Sequence, residues 1–140
     1  MILQKKIDCK LYLETNGTLF RELEKVINDI DIVSMDIKLP SATGRVLWEE
    51  HYQFLQIAKQ KELFIKIIIS GETRKEEFDR AITLVADVDC NIPLILQPVT
   101  PIYNCTSVAP EAVLHYQEVA LKKLSDVRVI PQTHKFLDQM

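Results

Sequence analysis

The sequence predicts an α/β fold built from parallel β/α repeats, and three observations predict it. Five short runs rich in β-branched residues, at 10–13, 31–37, 63–69, 92–96 and 127–130, alternate with four segments of helical period. The runs are almost continuously apolar, as Ile65, Ile67, Ile68 and Ile69 show, which suits strands covered on both faces. The turn-forming residues, finally, gather on one set of connections. Strict alternation of strand and helix requires right-handed crossovers, so the sheet is either doubly wound or barrel-like.

In chain order, residues 1–8 form a stub in which Leu3 and Ile7 lie one helical turn apart, and a helical end is expected there. After the first strand, Leu19, Leu23, Val26, Ile27 and Ile30 make the first helical stripe. Leu47, His51, Phe54, Leu55 and Ala58 make the second, with His51 among apolar neighbours as a packed residue. The third stripe is Phe78, Ala81, Ile82, Val85 and Val88, preceded by Thr73 and Glu76 in capping-box spacing. The fourth is Val113, Tyr116, Ala120, Leu121 and Leu124, with Pro110 suited to its first turn. Stripes of this kind bury against a sheet, and all four are read as core.

Composition sets the class. The 140 residues carry 17 basic and 20 acidic side chains, a net charge of −3, and 47% are hydrophobic. That is the mix of one globular domain spanning 1–140, and it lacks the basic excess of a nucleic-acid binder. No apolar run approaches the ~18 residues of a membrane span, since Lys66 interrupts the longest. No secretory pattern opens the chain, so a cytoplasmic protein with reduced thiols at Cys9, Cys90 and Cys105 is expected. The chain contains no HExxH, P-loop or GxGxxG pattern, and metalloprotease, nucleoside triphosphatase and dinucleotide readings lack support.

The three glycines and all prolines but Pro93 fall on the strand-to-helix connections or the turns leading into helices. In parallel α/β folds that end of the sheet carries the ligand site. Glu14 closes the first strand. Asp36 and Lys38, two residues apart, share one side of the second. An acid–acid–lysine group at the mouth of a sheet suits an ammonium, a carboxylate or a cation; an ordinary solvated ion pair is the alternative.

Three ordered motifs then carry a resemblance. Leu13-Glu14-Thr15-Asn16-Gly17-Thr18, Val33-Ser34-Met35-Asp36-Ile37-Lys38 and Val129-Ile130-Pro131-Gln132-Thr133-His134-Lys135 resemble the radical S-adenosylmethionine superfamily. Within it they are most similar to the organic radical activating group and its 7-carboxy-7-deazaguanine synthase branch. The resemblance implies that the chain is the later half of a partial (β/α)6 TIM-like barrel, five strands and four helices after the helical stub. It implies a lyase that uses S-adenosylmethionine, a [4Fe–4S] cluster and Mg²⁺ to contract the ring of 6-carboxytetrahydropterin in queuosine biosynthesis. Glu14, Thr15, Asp36, Lys38, Lys66 and Ser70 then fall to the S-adenosylmethionine site, and Gln97, Thr100, Gln132 and His134 to the small-molecule substrate.

The same resemblance marks what this chain lacks. Cluster thiolates of the superfamily come from CxxxCxxC, whereas the cysteines here are 81 and 15 residues apart. The chain alone is therefore expected to bind no cluster or metal and to be inactive, a truncated piece of the barrel. Two alternatives stand beside this reading. One is a relative of the glycyl-radical activases. The other is a non-catalytic half-barrel that covers its exposed edges by forming a homodimer.

Overall fold

A computed structural model describes residues 2–7 (as backbone), 10–99 and 109–130. Thr100, Gln132, His134, Cys9 and Cys105 lie outside the described residues. Six strands form one sheet in the order of the sequence: β1 (Ile2–Ile7), β2 (Lys10–Thr15), β3 (Ile32–Ile37), β4 (Glu62–Ile69), β5 (Leu94–Pro98) and β6 (Val127–Val129). The helices are α1 (Phe20–Val26) with a 3₁₀ turn at Ile27–Asp29, a short α2 (Pro40–Thr43), α3 (Trp48–Ala58), α4 (Lys75–Val88) and α5 (Pro110–Leu121).

Strands β2 to β6 pair in parallel and in unbroken sequence order. This decides between the two architectures left open by alternation. A doubly wound sheet reverses its strand order at a switch point, whereas right-handed crossovers that never reverse keep every helix on one side. The helices obey: α1 packs on α3, α3 on α4 and α4 on α5, a single layer in chain order. The chain is thus an α/β arc of the barrel type.

Single-sided cover corrects the expectation that the strands are enclosed on both faces. Along β4, Leu63, Ile65, Ile67 and Ile69 are buried under the helices, while Phe64, Lys66 and Ile68 between them are half-exposed. Apolar residues on the open side, including Ile32, Ile68 and Ile95, hide the alternation from a reading of periodicity. The helix-side core joins Leu13, Val33, Met35, Ile65, Ile67 and Leu94 to Leu23, Phe54, Leu55, Phe78, Ile82 and Val85. Burial of about 25 cal/mol per Å² of apolar surface is what holds this layer in place.

The helical stub is a second correction. Residues Ile2–Ile7 form an antiparallel strand on β2, from Ile2 opposite Thr15 to Ile7 opposite Lys10. The pairing satisfies an edge of β2 that would otherwise present bare N–H and C=O groups, and local spacing alone cannot register that demand. Leu19 and Leu121, assigned to core stripes, are exposed at their helix ends. The capping interaction of α4 sits one residue later than its spacing suggests: Glu77, not Glu76, accepts the Arg74 N–H at 3.0 Å.

Candidate functional site at the carboxyl ends of the strands

Parallel registers align side chains of neighbouring strands on one face, and the open face collects the polar ones. Asp36 pairs with Lys66, Glu14 with Ser34, and Gln97 with Ile68. All of these project away from the helix layer. Asp36 stands between two ammonium groups: Lys38 Nζ lies 3.8 Å from one carboxylate oxygen and Lys66 Nζ 3.8 Å from the other. The three side chains are about one-quarter to one-third exposed (Asp36 33%, Lys38 35%, Lys66 23%). Lys66 therefore lies on the open face of the sheet beside Asp36.

Both contacts exceed the reach of a good charge-assisted hydrogen bond, which closes at about 2.7–2.9 Å. Partly solvated pairs so loose add little to stability, so the three charges remain free to turn to a ligand. Toward the amino ends of the strands the face becomes aromatic. The rings of Tyr12 and Phe64, on strands that flank β3, approach to 6.2 Å between centroids. Near them Ser34 is 1% exposed, and its Oγ has no hydrogen-bond partner among the described residues.

The remaining expected site residues divide. Thr15 lies on the helix side of β2, buried, with its hydroxyl accepting the Gly17 N–H at 3.1 Å; it shapes the loop and does not join the cluster. Ser70 opens the β4–α4 loop, where its hydroxyl accepts the Glu72 N–H at 3.1 Å and its own N–H reaches the Thr73 hydroxyl at 2.9 Å. The structure leaves Thr100, Gln132 and His134 outside its described part. Cys90 is free and exposed in the α4–β5 connection, at the opposite end of the sheet. Among the described residues no three His, Cys, Asp or Glu side chains gather as a metal site.

Two residues that sequence reasoning left out of the site, Glu77 without a role and His51 as a packed residue, organise the loops around this mouth. Glu77, 8% exposed, accepts hydrogen bonds from the Ser41 N–H at 2.9 Å, from the Ser41 hydroxyl and from the Arg74 N–H. It ties the loop after Lys38 to the start of α4. His51, fully buried near the start of α3, places Nδ1 2.9 Å from the Gly17 carbonyl oxygen. Burial holds its pKa below the ordinary histidine value, against weaker opposite pulls from the Gly17 carbonyl, Glu50 and the Lys38 backbone. A capping pattern signals the local half of the Glu77 knot. Nothing in the sequence signals its tie to Ser41, 36 residues away.

The fold and this mouth define a class: a one-sided β/α-repeat scaffold with a cluster of charged side chains at the carboxyl ends of its strands. No protein-family model matches the chain. Curated relatives do. The chain is 47% identical over 131 residues to the 7-carboxy-7-deazaguanine synthase of Geobacter sulfurreducens, covering 93% of the chain and 52% of the relative. It is 33% identical over 128 residues to that of Aquifex aeolicus (90% and 51%). It is also 30% identical over 141 residues to that of Methanocaldococcus jannaschii (94% and 56%). The chain spans about half the length of the curated relatives it matches, and it belongs to the 7-carboxy-7-deazaguanine synthase family as a partial, C-terminal-like segment.

Proposed function

We propose that the chain forms the part of a radical S-adenosylmethionine enzyme that holds the amino-acid end of the cofactor, in an enzyme making 7-carboxy-7-deazaguanine from 6-carboxytetrahydropterin. The observation that carries this reading is Asp36 set between Lys38 and Lys66, 3.8 Å from each, on the open face of the sheet. The methionine portion of S-adenosylmethionine is a zwitterion. Asp36 provides the acceptor for its ammonium, and the two lysines provide donors for its carboxylate. Glu14, on the neighbouring strand, adds a second acidic group to the same face. The Tyr12–Phe64 pair supplies flat apolar surface next to the charges, suited to a ring system.

When bound, S-adenosylmethionine would supply hydrogen-abstraction chemistry only after reductive cleavage by one electron, which must come from a donor outside the described residues. This chain's contribution is to orient it: ionic groups fix the amino-acid end, and Gln97 presents an amide to whatever lies further along the face. The described residues do not fit an iron–sulfur cluster, because Cys90 stands alone and remote from the mouth. No step is therefore assigned to a cluster held by this segment, and we infer that the segment by itself does not turn over.

The test is calorimetric titration of the purified chain with S-adenosylmethionine. Asp36→Asn or Lys66→Met is expected to weaken binding roughly ten- to a hundredfold, the loss of one charge-assisted contact of about 1.5–3 kcal/mol. Equal affinity in the wild type and both variants would overturn the assignment.

A further inference from the structure

We propose that His51 is a positioning residue that fixes the β2–α1 loop against the charged mouth, an assignment resting on the ligand reading of Asp36, Lys38 and Lys66 given above. His51 lies on the helix side of the sheet and touches no ligand there. Its action passes through Gly17, whose φ of +71° is a left-handed conformation that turns the loop sharply after Glu14 and Thr15. Both polar backbone groups of Gly17 are held. The Thr15 hydroxyl accepts its N–H at 3.1 Å, and His51 Nδ1 lies 2.9 Å from its carbonyl oxygen.

A carbonyl oxygen can only accept, so Nδ1 must carry the proton. Nε2 then keeps its lone pair, and it finds no partner among the described residues. This is a costly choice for a fully buried side chain in an apolar stripe, where Leu or Phe would fill the space without an unpaired polar atom. What the imidazole adds over an apolar ring is one directional bond to one loop carbonyl. The space around the loop leaves no slack. A Cβ on Gly17 would lie 2.6 and 2.8 Å from Met35 side-chain atoms and 3.2 Å from His51 Nδ1. Met35 adjoins Asp36 in β3, and the Lys38 backbone is near the imidazole from the same strand end. His51 thus sits where the loop bearing Glu14 and the strand end bearing Asp36 and Lys38 meet, and it sets one relative to the other.

The experiment compares the wild-type chain with His51→Asn, which keeps a donor in the place of Nδ1, and His51→Phe, which keeps the ring without one. Nitrogen-15 NMR of the wild type is expected to show a neutral imidazole protonated on Nδ1, the less common tautomer. S-adenosylmethionine affinity is expected to stay within about threefold of wild type in His51→Asn and to fall roughly tenfold in His51→Phe, as loss of a buried hydrogen bond would give. Hydrogen exchange at the Gly17 amide, which the Thr15 hydroxyl accepts, is expected to remain slow in His51→Asn and to accelerate in His51→Phe. A proton on Nε2, or equal behaviour of the two variants, overturns the proposal. If the wild type binds no S-adenosylmethionine, the ligand reading fails, while the tautomer and amide exchange still decide the role of His51. If His51→Phe does not fold, the tautomer and the His51→Asn rescue decide it.

Discussion

Gly17 shows how much one residue can constrain this mouth. Its positive φ excludes most side chains, and Met35 fills the space a Cβ would need. Gly17→Ala is expected to cost about 1–3 kcal/mol, read as a lowered urea midpoint with an unchanged slope. Gly44, with φ of +72° and open space around it, is expected to lose less on the same change. His51 adds a pH dependence whose sign follows from its burial. Its folded-state pKa lies below the ordinary value of 6.5, so between the two values the unfolded chain binds more protons. That contribution to stability is complete above about pH 6.5 and is lost as pH falls toward the folded-state value. Thermal melts of the wild type are expected to drop more steeply below pH 6.5 than those of His51→Phe; parallel curves would contradict this. The sequence places His51 in a buried stripe because helical spacing is local. Its bond to Gly17, 34 residues away, depends on which loops the sheet brings together, and no periodicity encodes that.

Elements were legible where their cause is local. The stripes of α3 and α4 lie buried as their spacing predicts, apart from Leu47 and Val88 at their ends, which are half-buried, and Pro110 opens α5 at the turn where its missing N–H is harmless. Residues Ile2–Ile7 depart from the helical expectation because Leu3 and Ile7 share a helical spacing, whereas pairing with β2 is a long-range gain invisible to it. The start of α4 combines both kinds of cause. Arg74 to Glu77 is a local cap, but Ser41 from the preceding β/α connection supplies the other two donors to the same carboxylate. Glu77→Ala strands these donors in a half-buried site, with an expected loss of about 2–4 kcal/mol in chemical denaturation. Glu77→Gln keeps acceptor capacity through one oxygen and is expected to lose about half as much. Hydrogen exchange at the Ser41 amide should rise in both variants; an unchanged rate would show that α2 is held by other contacts.

At the scale of the whole molecule, the one-sided sheet governs what the chain can be. Each of β2 to β6 gains a core from the helices, yet the face carrying Asp36, Lys66, Phe64 and Ile68 has no covering layer among the described residues. The proposed ligand site and the open apolar surface therefore share one face, and the sequence revealed its charged residues while concealing its openness behind interspersed isoleucines. Further along the arc, Pro98, Pro110, Val113, Leu114, Gln117 and Val129 line an apolar groove of about 450 Å³ beside the short strand β6, and Leu114 is 60% exposed. Natural sheets blunt or cover such edges. Among the described residues nothing covers this edge, and we predict self-association along the β6 side, which sedimentation velocity should show as a concentration-dependent dimer. Leu114→Glu, placed in the groove and away from the charged mouth, is expected to shift the equilibrium to monomer and leave S-adenosylmethionine affinity unchanged. A dimer that survives this change would move the contact to the open face itself. Bound S-adenosylmethionine would then compete with dimerisation, and adding it during sedimentation separates the two geometries.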